Sequence, residues 1–242
     1  MTKPEFEAEA QNLVGTARGL SIAQIKSMMK LSDNLAKLNY DRFRDFSVPP
    51  QPENLRPAVR AFAGDTYLGL EAGSLDAEEM AWAQDHLRIL SGLYGVLRPL
   101  DGMQPYRLEM GSRLQTERGR NLYEFWSNKI AKALNKQAQA LGTDVLVNCA
   151  SQEYFGAVDQ GALALQVITP QFMEDKGGEP KIVSFYAKRA RGAMARFIIQ
   201  HRLSDPAALL DFDTGGYRYR AELSTPEKPI FVRPAEAATK SA

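Results

Sequence analysis

Residues 181–202 read KIVSFYAKRARGAMARFIIQHR. They hold six basic side chains, Lys181, Lys188, Arg189, Arg191, Arg196 and Arg202, and neither Asp nor Glu. Cations gathered without counter-charge are the chemistry of phosphate or anion binding. At roughly 100° per residue, Lys188, Arg191 and Arg202 fall within about 60° of one another on a helix. Arg189 and Arg196 lie on a neighbouring face, and Ala190, Met194, Phe197 and Ile198 supply a buried side. The pattern predicts a strand over 182–186 and a helix over 187–203. Lys188 and Arg189 would then occupy the first turn, where a cation opposes the helix dipole at a cost of a few tenths of a kcal/mol, and a bound anion would reverse that cost. The plainer alternative is a solvated basic face with acidic neighbours drawn from elsewhere in the chain.

Two further segments carry polar groups on constrained backbone. Residues 90–111, LSGLYGVLRPLDGMQPYRLEMG, are too rich in Gly, Pro and aromatics for a plain helix and too apolar for a solvated loop. Gly92 and Gly95 permit tight packing or positive φ, and Pro99 and Pro105 fix φ. Arg98, Tyr106 and Arg107 sit on this stiff backbone, either as an anion contact or as a buried connector whose guanidinium groups bond carbonyls. Residues 148–155, NCASQEYF, follow an apolar run, and polar groups at the carboxyl end of a strand are a common place for a site. Asn148, Ser151 and Glu153 read as a capping and hydrogen-bonding turn that could line a cleft with Tyr186. Cys149 beside Ser151 could be a nucleophile, but no histidine is near in sequence, and a buried thiol is the stronger reading. Trp126, in NLYEFW, reads as core before it reads as a base-stacking platform.

Bulk composition narrows the field. The chain has 242 residues, with 44% hydrophobic and 24% charged side chains, enough for a sizeable core. Its 30 basic and 29 acidic residues leave a net charge of +1, so any attraction for nucleic acid must be local. One cysteine excludes an internal disulfide framework, and the only histidines, His86 and His201, make a His-based metal centre unexpected. No secretory signal and no run of about 18 apolar residues is present, which reads as a cytoplasmic protein without a membrane partner. Phosphate-binding, dinucleotide and zinc-protease motifs are missing. No cofactor, metal or stable protein partner is expected.

These side chains must be positioned by an α+β arrangement, with helices dominating residues 1–141 and strands concentrated in 142–234, ahead of a frayed tail at 235–242. A single domain with a mixed sheet covered by helices is expected. Gly19 stops the first helix, Ser21 caps a second, and Ser32 or Asp33 a third that carries Phe43. Pro49, Pro50 and Pro52 form a linker. Residues 65–70 read as a short strand, Asp76 caps a helix to about Leu90, and residues 121–141 read as one long helix. Strands are expected over 145–148, 163–168, 217–223 and 230–232, with a short helix near 207–212. Two helical hairpins are conceivable, one in residues 13–38 turning at Gly19 and one turning at Gly92–Gly95, and such hairpins can aim backbone N–H groups at phosphate.

Taken together, LSGLYGVLRPLDGMQPYRLEMG, NLYEFW, NCASQEYF and VSFYAKRARGAMARFII resemble the YaaA family of bacterial peroxide-stress proteins, as does the early LSIAQIKSMMKLSDNLAKLNYDRF. The likeness spans residues 5–234. The resemblance implies a cytosolic protein of the hydroperoxide response, linked to keeping unincorporated iron low so that fewer hydroxyl radicals form near DNA. It also implies an α+β domain with a basic cleft, a helix-hairpin-helix element and double-stranded DNA binding, and it carries over no catalytic residues. Family members usually open with a hydrophobic strand and a Ser-Pro-Ala-Lys segment, whereas this sequence opens Met1-Thr2-Lys3-Pro4. The resemblance therefore carries over no site that uses that lysine, and a sheet without that strand would keep an open edge. The leading expectation is sequence-independent binding of double-stranded DNA through a basic cleft by Arg98, Tyr106, Arg107, Lys188, Arg189, Arg191 and Arg196, with Arg98, Arg107, Lys188 and Arg191 converging on it. The alternative is an enzyme for a small anionic metabolite, with Asn148, Ser151, Glu153 and Tyr186 lining its pocket. Direct iron capture would need a carboxylate cluster, and Asp76, Glu78 and Glu79 read instead as the first turn of a helix.

Overall fold

The computed structural model describes residues 1–175 and 177–234; the expected frayed tail lies outside the described residues. In chain order come α1 (Glu7–Arg18), α2 (Ile22–Met29), α3 (Asp33–Asp45), β1 (Arg56–Pro57), α4 (Ala58–Ala61), α5 (Asp65–Leu70) and α6 (Ala77–His86). Then follow β2 (Ile89–Ser91), β3 (Gly95–Leu97), β4 (Gly102–Met103), α7 (Leu122–Trp126), α8 (Lys129–Leu141), β5 (Val145–Val147) and α9 (Gln152–Phe155). The last elements are β6 (Gln166–Ile168), β7 (Gln171–Asp175), α10 (Ser184–His201), β8 (Arg218–Tyr219) and β9 (Ile230–Pro234). Helices with short parallel and antiparallel strand groups make this an α+β fold. The residues gather into two compact units, one of Met1–Ala61, Arg88–Lys136 and Gln152–Leu163, the other of Phe62–Leu87, Gln137–Ser151 and Ala164 onward.

In the first unit, α1 buries Ala10, Leu13, Val14 and Ala17, which recur at helical spacing. Ser21 and Ser32 cap α2 and α3, their hydroxyls accepting from the Gln24 and Leu35 backbone N–H groups. The helical hairpin expected at Gly92–Gly95 is instead a β-hairpin, with β2 and β3 paired antiparallel through Ser91 opposite Gly95. The reason is a tertiary contact. Gly95 adopts φ +66°, and its bare Cα lies against the Trp126 ring, which leaves no room for a side chain. Trp126 is 0% exposed and donates its indole N–H to the Gly92 carbonyl at 3.0 Å, so it is core and cannot stack a base. The long helix expected over 121–141 is broken, because Ser127 turns to φ 45° and separates α7 from α8.

In the second unit, β7, β9 and β8 form a three-stranded sheet, with β7 parallel and β8 antiparallel to the central β9, while β5 pairs with β6 in parallel. Phe172, Phe212, Tyr217 and Phe231 cluster edge-to-face and stacked under Ala190 and Met194 of α10. Asp76 caps α6 in a reciprocal box with Glu79, as its spacing predicts, but that helix ends at His86. The strand predicted at 65–70 is helix α5. Its Gly69 lies against the backbone of Arg189, and Gly192 of α10 lies against that of Thr66. A Cβ at Gly192 would fall 1.8 Å from the Thr66 carbonyl oxygen. This crossing rewards a helix at DTYLGL over the β-propensity of its residues. The strand predicted at 182–186 is likewise absent, since α10 starts at Ser184. Lys188 and Arg189 therefore stand in its second turn, and the helix-dipole cost expected for them does not arise. Only Arg218–Tyr219 of the 217–223 strand forms, before a 3₁₀ turn at Ala221–Leu223, and the short helix near 207–212 is a 3₁₀ turn over Pro206–Asp211.

Candidate anion and nucleic-acid interface

The cations of α10 differ in what they meet. Arg196 donates to the Leu70 and Glu71 carbonyls at 3.2 and 3.0 Å, capping the C-terminal end of α5. Arg202 pairs with Glu78 at 2.7 Å on the surface. Lys188 and Arg189 are exposed, and among the described residues neither makes an ion pair with a carboxylate. Arg191 is half-buried, and its Nη1 donates to the Ala150 carbonyl at 3.3 Å. Its Nε is out of solvent with no acceptor among the described residues. Burial lowers the guanidinium pKa, although an arginine stays charged in any case.

The turn facing Arg191 is built by Asn148. Its Oδ1 accepts from the Ala150 N–H at 2.9 Å, and its amide donates to Thr169 Oγ1 at 3.4 Å. The Asn148 backbone N–H donates to Ile168 at 2.7 Å, so the turn begins where β5 and β6 end. Cys149 packs on the aromatic cluster, and burial pushes its thiol up to about 12. Near neutral pH it is therefore held as the thiol. Ser151, next in the chain, is half-buried.

Tyr186 serves another network of the same unit. The Arg233 guanidinium lies 4.4 Å from its ring and 5.2 Å from that of Tyr217. Arg233 Nε donates to Glu174 at 2.9 Å, and the Tyr217 hydroxyl donates to the same carboxylate at 2.6 Å. Burial and that hydrogen bond raise the Tyr217 pKa. Sequence reading missed this network. Glu174 and Arg233 meet only through the register of β7 on β9, and no local spacing signals a contact across 59 positions.

In the first unit the rigid segment answers to internal partners. Asp101 is buried and accepts from the Arg98 backbone N–H at 2.8 Å, from Arg98 Nη2 at 2.9 Å and from the Thr2 hydroxyl at 2.6 Å. Arg98 also donates to the Lys3 carbonyl. Arg107 pairs with Glu109 at 2.7 Å. The Tyr106 hydroxyl meets Ser91 Oγ at 2.5 Å. Glu153 accepts from the Gly111 N–H at 2.9 Å and fixes the end of the same segment. Tyr154 hydrogen-bonds the Met110 backbone, and burial pushes its phenol up to about 12. Arg98, Tyr106, Arg107 and Glu153 thus all have structural partners, whereas Lys188, Arg189, Arg191 and Arg196 pair with no carboxylate among the described residues.

A family model described as peroxide stress protein YaaA matches residues 1–223. The chain belongs to the YaaA peroxide-stress family. Its relatives include UPF0246 proteins of Roseobacter denitrificans, 68% identical over 98% of this chain and 92% of the relative, and of Ruegeria pomeroyi, 66% identical over 96% and 91%. A UPF0246 protein of Jannaschia sp. is 59% identical over 100% of this chain and 92% of its own. YaaA members are thus peroxide-stress proteins, and the four sequence motifs that suggested the family all fall within the matched residues. Among the described residues no group of three or more His, Cys, Asp and Glu is placed to hold a metal, and no helix is long and apolar enough to cross a membrane.

Proposed function

We propose that this peroxide-stress protein works in the cytoplasm by holding double-stranded DNA through phosphate contacts that read no sequence, limiting the damage done there by iron-derived hydroxyl radicals. The observation that carries this reading is the state of α10. Lys188 and Arg189 project into solvent, Arg191 stands beside them, and none of the three is neutralised by a carboxylate among the described residues. The helix has no acidic residue of its own. Exposed cations without partners attract the phosphate backbone through counterion release, which operates even at a net chain charge of +1. Arg98 and Arg107 add less, because Asp101 and Glu109 already neutralise them. Arg196 acts through α5, whose position it fixes.

The test is the double substitution Lys188→Glu with Arg189→Glu, measured by gel shift on two duplexes of unrelated sequence. Both side chains are solvent-facing, so melting should stay within about 0.5 kcal/mol of the parent. Duplex affinity should fall equally on both sequences, because phosphate contacts carry no base information. Unchanged binding to both duplexes would remove α10 from the interface.

A further inference from the structure

Arg191 presents a problem that no neighbour solves. A buried cation is costly unless a carboxylate, several acceptors or a bound anion compensates it. The other enclosed guanidinium groups of the second unit have their charge met: Arg233 has Glu174, although its Nη2 also lacks an acceptor among the described residues, and Arg196 has two carbonyls at the negative end of α5. Arg191 has one carbonyl at 3.3 Å, a length at which the bond is weak, and its Nε has no acceptor among the described residues. The titratable group beside it is Cys149, whose thiol is held protonated by burial and gives no negative charge. Lys188, one turn earlier on an adjoining face, adds a second cation instead of relieving the first.

We propose that Arg191 is the receptor for a single phosphate group, held by the Nη hydrogens that the Ala150 carbonyl does not take, at the turn that follows β5, with Lys188 as the second cationic contact. The planar fork of an arginine matches two phosphate oxygens at once. The Asn148 turn fixes the Ala150 carbonyl, and that carbonyl holds the fork in place. The group would be either the terminal phosphate of a nucleic-acid strand or a small phosphomonoester; the two present the same dianion. This inference deepens the reading of α10 as a phosphate-facing helix by naming one discrete site on it, and it can stand without duplex binding.

The full-length protein is melted with inorganic phosphate and, at matched ionic strength, with chloride. Phosphate should raise the melting temperature saturably beyond chloride. In Arg191→Gln its affinity should fall about ten- to a hundredfold, the loss expected for charge-assisted hydrogen bonds. Without phosphate, Arg191→Gln should melt at or above the parent, since an uncompensated buried charge has been removed. No saturable gain in the parent, or an equal gain in Arg191→Gln, overturns the proposal. Should Arg191→Gln fail to fold, Arg191→Lys decides: a weakened phosphate response supports the fork, and an undiminished one overturns it. Phenyl phosphate and a 5′-phosphorylated oligonucleotide, each against its unphosphorylated counterpart, identify the source. The probe whose phosphate-dependent binding disappears in Arg191→Gln is the ligand class, and persistence of both overturns the site. Lys188→Glu with Arg189→Glu reports on duplex binding separately, so failure of that reading leaves the Arg191 result intact.

Discussion

Gly192→Ala should unfold the second unit's helical scaffold far more easily than its chemistry suggests. In an exposed helix interior this exchange gains about 1 kcal/mol, because alanine loses less backbone entropy. At Gly192 the new Cβ would stand 1.8 Å from the Thr66 carbonyl oxygen and 2.7 Å from the Leu70 nitrogen, both rigid backbone atoms of α5. Clearing that contact requires α5 and α10 to part by about 1 Å or more. Gly69 would also be pulled off the Arg189 carbonyl, and the Arg196 bonds to Leu70 and Glu71 would lengthen. Overpacking at a close-packed contact costs about 1–3 kcal/mol, and here two charge-assisted bonds weaken with it, so a net loss of about 2–3 kcal/mol is expected. The internal control is Gly15→Ala, in the middle of α1 with no atom within 4 Å of the added Cβ, which should stabilise by up to about 1 kcal/mol. Urea denaturation of both variants measures the pair. Equal or greater stability of Gly192→Ala would refute the close crossing that positions α10.

Glu9 is bonded by Arg118 and by Lys129 at 2.5 Å, and Arg118 chiefly holds its carboxyl down to about 2. A depressed carboxylate contributes stability that is full above about pH 4.5 and lost as pH falls through about 2, about 1–2 kcal/mol after solvent screening. Glu9→Gln should flatten that acid limb in pH-dependent melting, and an unchanged limb would show the pair to be idle. Cys149, with its thiol pushed up to about 12, should resist iodoacetamide near pH 7.5 and react faster as pH rises toward 10; rapid neutral alkylation would contradict that raised pKa. Trp126→Phe removes a fully buried indole and its bond to Gly92, and chemical denaturation should show a loss of about 2–4 kcal/mol, whereas a negligible change would deny it a core role.

Helix caps and the apolar stripe of α1 were readable because their signals are local. Ser21, Ser32 and Asp76 cap where their spacing predicts, and the apolar stripe of α1 is the one that packs. What misled the reading was tertiary. DTYLGL looks extended by composition, and it becomes helical because Gly69 and Gly192 bring two backbones into contact. IVSFY has strand-forming residues, yet α10 begins inside it at Ser184. The Gly92–Gly95 turn was legible as tight backbone but not as a β-hairpin, since its geometry depends on Trp126, about 30 positions away. The basic run itself was plain from the residues. Its sorting into a helix cap at Arg196, a surface pair at Arg202 and uncompensated cations at Lys188, Arg189 and Arg191 needed coordinates. Asp101 and Glu109 as partners of Arg98 and Arg107 stood within three positions in sequence and could have been anticipated.

The most direct test is duplex affinity measured by fluorescence anisotropy from about 50 to about 200 mM salt, in the parent and in Lys188→Glu with Arg189→Glu. Three uncompensated cations on α10 predict a slope of log affinity against log salt of about −3 in the parent, and a clearly shallower one in the variant. A flat parent slope, or a steep slope that the variant shares, would contradict the account.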